Sequence, residues 1–423
     1  MATLPSTEQS SRIVTLDIIR GVAVMGIFSV NVIAFAMVEA AYFNPSAYGG
    51  ATGADLIVWV ANMLVVDGKM RTLFSMLFGA SMLLVIERAE AAGESGWNVH
   101  FRRMIVLLGF GLVHYYFIWF GDILTLYAVA GLVAFLFREM APKKLVIIGA
   151  ALLAGHMLLF TGFLIYMQGV EAAAHAPGAS GEAVRDWNDG LGALAPSAAE
   201  IAKENALHLG SFWGIAADKL SEWWGIIAST LIFLPNTVGL MLLGMAGYKS
   251  GFLTGQWQDS VYRRIAGWAL AVGLVGGVGV VAIDLATRFD VFAIMGAFVI
   301  ADTPFITVMA FGYAALVILL SRRHGVLAQR IAAAGRCAFS NYLGTSILAT
   351  LIFYGWGFGL YGSLSRWQAW LVAPAVWSVM LLWSKPWLAR FHYGPLEWAW
   401  RSLSRGRMQP FRKRKPALAV SKA

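Results

Sequence analysis

Residues 16–31 read LDIIRGVAVMGIFSVN, and this stretch decides the fold. It opens on a polar turn, Leu16-Asp17-Ile18-Ile19-Arg20-Gly21, and runs on to Val38 with Ser29 and Asn31 as its polar interruptions. About twenty apolar residues cross a bilayer core as a helix, so helix one is predicted over residues 14–38. At about 100° per residue, Arg20 and Asn31 lie roughly 20° apart around the axis, with Asp17 about 40° from Asn31 and 60° from Arg20. The three form one stripe, climbing about 1.5 Å per residue toward the middle of the membrane. Lipid makes such a stripe costly, so it faces protein or a water-filled cavity. One reading is structural: an Asp17–Arg20 pair one turn apart, and Asn31 bonded to a neighbouring helix. The other is the lining of a functional cavity, and the continuity of the stripe favours it.

The rest of the chain agrees with a membrane helix. Of 423 residues, 59% are hydrophobic and 13% charged, with 17 Trp and 26 Phe. Soluble domains do not have this composition; all-α polytopic membrane proteins do. Period-2 alternation, the mark of a membrane β-barrel, is absent. The net charge of +9 excludes neither nucleic acid nor membrane by itself, but the basic residues cluster at the ends of apolar runs. That pattern sets topology and attracts anionic lipid, and it is not a nucleic-acid groove. A lone cysteine, Cys337, excludes an intramolecular disulfide and a multi-thiolate metal site. The N-terminal residues lack the pattern of a cleaved signal, so the first run is expected to be retained.

Taken in order, the apolar runs predict about ten transmembrane helices: residues 14–38, 72–87, 102–120, 123–137, 145–167, 224–247, 265–285, 301–320, 338–357 and 370–387. A short segment near 55–68 is too brief to span and is expected to be re-entrant or interfacial. Four regions follow: a 1–170 helix bundle carrying LDxxRG, a 171–222 extracytoplasmic loop or cap, a 223–390 second bundle and a 391–423 basic tail. The later part of the cap, about 200–220, is expected to be helical. With the N-terminus inside, the cytoplasmic segments hold Arg12, Arg88, Arg102, Arg103, Arg138, Lys143, Lys144 and most later basic residues, up to Arg412-Lys413-Arg414-Lys415. The other side keeps few, among them Lys69 and Arg71. That asymmetry satisfies the positive-inside rule with an even number of spans and both termini cytoplasmic.

Several motifs together carry a resemblance. They are LDIIRGVAVMGIFSVN, the LFSMLFGASM run after Lys69-Met70-Arg71, HYYFIWFGDILTLYAVAGL, CAFSNYLGTSIL and YGPLEWAWR. Spread from residue 16 to residue 401, they resemble the YeiB-type bacterial inner-membrane family (domain of unknown function 418). That family is similar in its first half to transmembrane acyltransferases such as heparan glucosaminide acetyltransferase. The resemblance implies an inner-membrane location, acyl-CoA as donor from the cytoplasm, and Asp17 and Arg20 at the cytoplasmic mouth of the donor tunnel; Asn31, farther along the same stripe, is a third candidate cofactor-binding residue. Arg20 suits a phosphate or pantetheine group through charge-assisted bonds. One departure stands out. Those enzymes place an essential histidine in or just after helix one, whereas this chain has none between Met1 and Val99.

His114 and Asp122 are the candidate catalytic residues. His114 lies about twelve residues into an early helix, near the bilayer midplane, where a histidine is a functional-site hypothesis by default. As a general base it would deprotonate an acceptor hydroxyl or amine; as a structural residue it would bond a neighbouring carbonyl. Both readings stay open. Asp122, eight residues on, either orients that base, pairs with Lys69 or Arg71, or caps the next helix. Lys69, Arg71 and Asn341 are the candidate substrate-binding residues, the first two for an anionic acceptor or headgroup. Asn341 also suits helix–helix bonding. His392 and Glu397 are read as part of a structural anchor. No metal is expected. The expected partners are membrane lipids and a small-molecule, glycan or lipid acceptor, with a homodimer left open. An acyltransferase-like function is the leading reading, and a transporter or lipid-binding protein on the same scaffold is the alternative.

Overall fold

The computed structural model describes residues 14–322 and 325–413. Of the basic residues named above, Arg12, Arg414 and Lys415 lie outside them. The described residues are helical, and contain one isolated bridge, Phe391 with Arg412. The first bundle comprises α1 (Val14–Ala36), the single turn α2 (Ala40–Phe43), α3 (Gly53–Val65), α4 (Lys69–Ala91), α5 (Gly96–Phe117), α6 (Leu124–Phe135) and α7 (Pro142–Ala174). A cap follows, with α8 (Gly181–Asp189), α9 (Ala198–His208) and α10 (Phe212–Ser221). The second bundle holds α11 (Trp224–Lys249), α12 (Asp259–Ala286), α13 (Val291–Met295), α14 (Asp302–Ser321), α15 (Val326–Arg336), α16 (Ala338–Phe353), α17 (Arg366–Trp370) and α18 (Val372–Arg390). The chain closes with α19 (Pro395–Arg405).

By length and composition, seven described helical stretches can cross a membrane: Val14–Ala36, Gly53–Ala91, Pro142–Ala174, Trp224–Lys249, Asp259–Ala286, Val291–Ser321 and Arg366–Arg390. Of the ten expected spans, the other three meet this standard less fully. Asn98, His100, Arg102 and Arg103 make the first turns of α5 polar. The apolar helices Leu124–Phe135 and Ala338–Phe353 are shorter than a span. The segment near 55–68 is a helix of its own, α3, with 13 residues. Gly68 at φ 67° breaks it from α4, a left-handed conformation that glycine adopts without penalty.

Serines start the cap helices. Ser180, Ser197 and Ser211 each accept a backbone N–H at a helix N-terminus, and Ser197 completes a capping box with Glu200. The expected helix over 200–220 is divided near Gly210 into α9 and α10. With 12 residues, α6 is roughly 18 Å long, and the turn at 118–123 precedes it. That irregular backbone is covered by α10, where Lys219 sits 5.8 Å from the Phe120 ring.

At the centre, α1, α4, α11 and α14 bury Ile19, Leu73, Met76, Leu77, Leu240 and Ala314 in one cluster. Against α1 lies α15. A Cβ on Gly21 would overlap the Ile331 carbonyl oxygen, and one on Gly335 would overlap that of Asp17. The two backbones therefore touch, as small residues allow between membrane helices. The glycine of LDxxRG is thus a packing residue. It fixes the height at which its neighbours Asp17 and Arg20 meet the rest of the bundle.

Candidate functional site

The polar turn of α1 faces inward. Arg20 Nη1 donates to Asp17 Oδ1 at 3.2 Å, and Nη2 donates to Ser81 Oγ on α4 at 2.6 Å. An arginine at this depth needs partners, and the two bonds leave further N–H groups of its five-donor fork available. Both Asp17 and Arg20 line a cavity of about 450 Å³ enclosed by α1, α4, α5, α6, α16 and α19. Arg88, Arg103, Arg336 and Arg401 mark one end; Phe78, Met104 and Leu107 make an apolar middle. The far end is closed by Ile123, Leu124, Tyr127 and Tyr342.

Behind that closed end stands the His114–Asp122 pair. His114 Nδ1 and Asp122 Oδ1 are 2.9 Å apart, and both side chains are 0% exposed. The local sequence accounts for the meeting. The N–H groups of Ile118 and Trp119 both bond the His114 carbonyl, ending α5, and the turn through Gly121 brings Asp122 back beneath the ring. Asp122 Oδ2 accepts the Thr125 N–H at 2.8 Å. One carboxylate oxygen therefore caps α6 while the other meets the histidine ring. A carboxylate only accepts, which assigns the proton to Nδ1 and leaves Nε2 as the basic atom. Nε2 is buried with no hydrogen-bond partner among the described residues. The Tyr342 ring lies 5.3 Å from the imidazole, centroid to centroid, and Trp119 packs at 6.3 Å.

The remaining candidates fall elsewhere. Neither Asn31 nor His114 is among the residues lining the cavity; Asn31 lies one turn beyond Ile27, the last residue of α1 that does. Lys69 is fully buried between α4 and α14, donating to Asp302 Oδ2 at 3.2 Å and to the Met63 carbonyl at 2.6 Å. That arrangement pins two helices and offers nothing to a substrate. Arg71 borders a separate small space of about 20 Å³ with His156 and Asn236. Asn341 donates to the Ala334 carbonyl and accepts from Trp383 Nε1, tying α15, α16 and α18 together. Its helix-bonding reading describes it fully.

Sequence reasoning missed the roof of the cavity. Helix α19 folds back over the arginine end, so His392, Tyr393, Glu397, Trp400 and Arg401 line the same space as Arg20. Glu397 accepts the N–H groups of Phe339 at 2.8 Å and Ser340 at 3.1 Å, capping α16 from outside its own helix. Burial pushes its carboxyl above the ordinary range, against the lowering effect of the bonds it accepts. Trp400 Nε1 donates to the Arg103 carbonyl at 2.8 Å, and the Arg103 guanidinium stacks 4.1 Å above the Trp400 ring. YGPLEWAWR carried the signal in its mixture of proline, acid, tryptophan and arginine, though not the place where it docks. Among the described residues, no group of three or more His, Cys, Asp or Glu side chains could hold a metal ion.

Fold and site together define a multi-pass helical membrane protein with an internal cavity open at an arginine-rich end. The chain belongs to the YeiB-type DUF418 family. The family described as "Protein of unknown function (DUF418)" matches residues 247–407. The chain is 33% identical to the uncharacterized protein YeiB of Escherichia coli strain K12 over 409 residues, covering 93% of this chain and 96% of that one. It is 30% identical to the uncharacterized protein YxaH of Bacillus subtilis strain 168 over 429 residues, covering 98% and 99%. A third relative, described as an uncharacterized 39.9 kDa protein of Bacillus acidopullulyticus, is 25% identical over 412 residues, covering 96% and 97%. No solved structure matches.

Proposed function

We propose that this protein is an inner-membrane acyltransferase that passes an acyl group from cytoplasmic acyl-CoA to an acceptor reaching it from the opposite side. The reading rests on one observation: a buried His114–Asp122 pair with Nε2 unpaired, one side chain beyond the closed end of the cavity. In it, Nε2 takes the proton from the acceptor hydroxyl or amine as that atom attacks the thioester carbonyl. Asp122 holds Nδ1–H and stabilises the imidazolium so formed. The carbon–sulfur bond breaks, the thiolate takes the proton back from Nε2, and CoA leaves as the thiol. Tyr342 turns aside to admit the donor's acyl end.

This reading sets α1, α4, α5, α6, α7, α11, α12, α14, α16 and α18 across the bilayer, with α3 re-entrant or interfacial. Positive charge retained inside puts both termini in the cytoplasm. Cysteines at Ser180 and Met408 in a Cys337→Ser background then label from opposite sides; equal labelling of intact cells by an impermeant reagent overturns the topology.

Acyl transfer is tested by calorimetry with acetyl-CoA alongside a turnover assay. His114→Gln keeps donor binding and lowers transfer by about 10²–10⁴-fold, because glutamine cannot accept a proton near neutral pH. Arg20→Gln weakens donor binding by roughly 10- to 150-fold, the worth of one charge-assisted contact. A second reading, lipid handling or transport without covalent chemistry, is favoured by the Tyr342 ring that separates the cavity from His114. Absence of acetyl-CoA binding at millimolar donor leaves that second reading standing alone.

A further inference from the structure

Beside the mouth of the cavity lies a second space of about 700 Å³, whose lining includes Arg88, Arg102, Arg103, Arg401, Arg405 and Arg407. Val85, Arg88, Arg103 and Arg401 line both spaces, so the two adjoin. Glu94 is the carboxylate in this vestibule, and Arg405 already holds both its oxygens, at 2.6 and 2.7 Å. That bond lowers the Glu94 carboxyl from its ordinary value. Among the described residues, Arg102, Arg103, Arg401 and Arg407 form no ion pair with a carboxylate of the lining.

Two of them are set in place by aromatic rings. Arg103 stacks on Trp400 at 4.1 Å, and Arg401 lies 5.0 Å from the Tyr393 ring. Arg401 Nε is buried and has no hydrogen-bond partner among the described residues. Stacking holds a guanidinium's plane while leaving its edge free, which is how arginine presents a fork to phosphate. Ser95, Asn98 and Ser404 add neutral polar groups to the walls.

We propose that the vestibule binds a compound bearing at least two phosphoryl groups, whose uncharged remainder extends into the cavity. The assignment rests on the donor-binding reading above, and it names the part of the ligand that stays outside. Arg103 and His114 are eleven residues apart on α5, about 16 Å along the axis. An extended limb of roughly five residue lengths covers that distance. The phosphates thus stay at the water-facing mouth while the far end of the limb reaches the histidine. A soluble nucleotide diphosphate and a two-phosphate lipid headgroup share this chemistry.

The test uses full-length protein in phosphatidylcholine nanodiscs, titrated with ADP, inorganic pyrophosphate and AMP by calorimetry. ADP and pyrophosphate bind and AMP binds more weakly. Arg102→Gln with Arg407→Gln lowers ADP affinity by about tenfold for each guanidinium removed. Lys385→Gln, on a lysine engaged with Gln329 and away from the vestibule, leaves it unchanged. Raising the salt weakens ADP binding, as exposed charges are screened. If neither ADP nor pyrophosphate binds, but cardiolipin is retained in native mass spectra of the wild type and lost from the double variant, the phosphate site stands and its source is lipid. If none of the three is held, the proposal is overturned. ADP binding without turnover of acetyl-CoA keeps the vestibule and removes acyl transfer. Acetyl-CoA turnover whose KM ignores the double variant does the reverse.

Discussion

Two pairs of buried ionisable side chains, Lys69–Asp302 and His114–Asp122, are completed in opposite ways. Lys69 lies between a carboxylate and a carbonyl at 3.2 and 2.6 Å, at 0% exposure, and lines neither the cavity nor its vestibule. His114 is equally buried, held by Asp122 at Nδ1, and the Tyr342 ring packs 5.3 Å from its imidazole. Burial and a charged partner alone do not mark a site. Both pairs leave one buried atom without a hydrogen-bond partner among the described residues, His114 Nε2 and Asp302 Oδ1; what separates them is that the ring packed on His114, Tyr342, lines the cavity.

The contrast can be broken or sharpened by substitution. Lys69→Met carries the largest expected effect, a loss of about 3–5 kcal/mol, since Asp302 is left as a buried charge without its cation. Thermal unfolding in micelles measures it, and a loss under about 1 kcal/mol would erase the distinction. Gly21→Ala comes next, at about 1–3 kcal/mol, because α1 and α15 have no room for a methyl group. Acetyl-CoA affinity should fall with it as Asp17 and Arg20 shift; unchanged affinity at lowered stability would separate the packing from the site. Asn341→Ala should cost about 0.6–1.7 kcal/mol, the range of interhelical hydrogen bonds in membranes, with no change in turnover. A turnover defect there at normal stability would restore Asn341 as a binding residue. His114→Gln is the smallest in stability, under about 1 kcal/mol, while acyl transfer disappears. Severe unfolding of that variant would put both pairs in the same class.

Local features were legible in the sequence and distant pairings were not. The stripe of α1 follows from helical periodicity, and Asp17 with Arg20 meets at 3.2 Å on the face it implies. Asp122 lies eight residues after His114, so a turn between two helices suffices to join them. Lys69 and Asp302 are 233 residues apart, and nothing around Asp302 names a partner across that gap. Trp400 and Arg103 are separated by 297. Helix α19 looked like a surface anchor because its alternation of tryptophan and charge fits an interface. The same residues fit equally well against the open top of a bundle. Span counting met a physical limit at α6 and α16, where the bundle and cap supply the cover that lipid gives to longer helices.

The placement of α19 also fixes when the site can come into being. Residues 16–20 supply one wall of the cavity and residues 392–401 its roof, so the cavity is incomplete until the later segment has been made. At about 5–20 residues per second, the roof emerges roughly 15–60 s after the start of α5 has left the ribosome. The walls from α6, α15, α16 and α18 are completed within that interval, and the roof comes after them. Until α19 is made, the arginine end of that space has no roof, so a C-terminal truncation before Pro395 should leave the bundle with an open cavity.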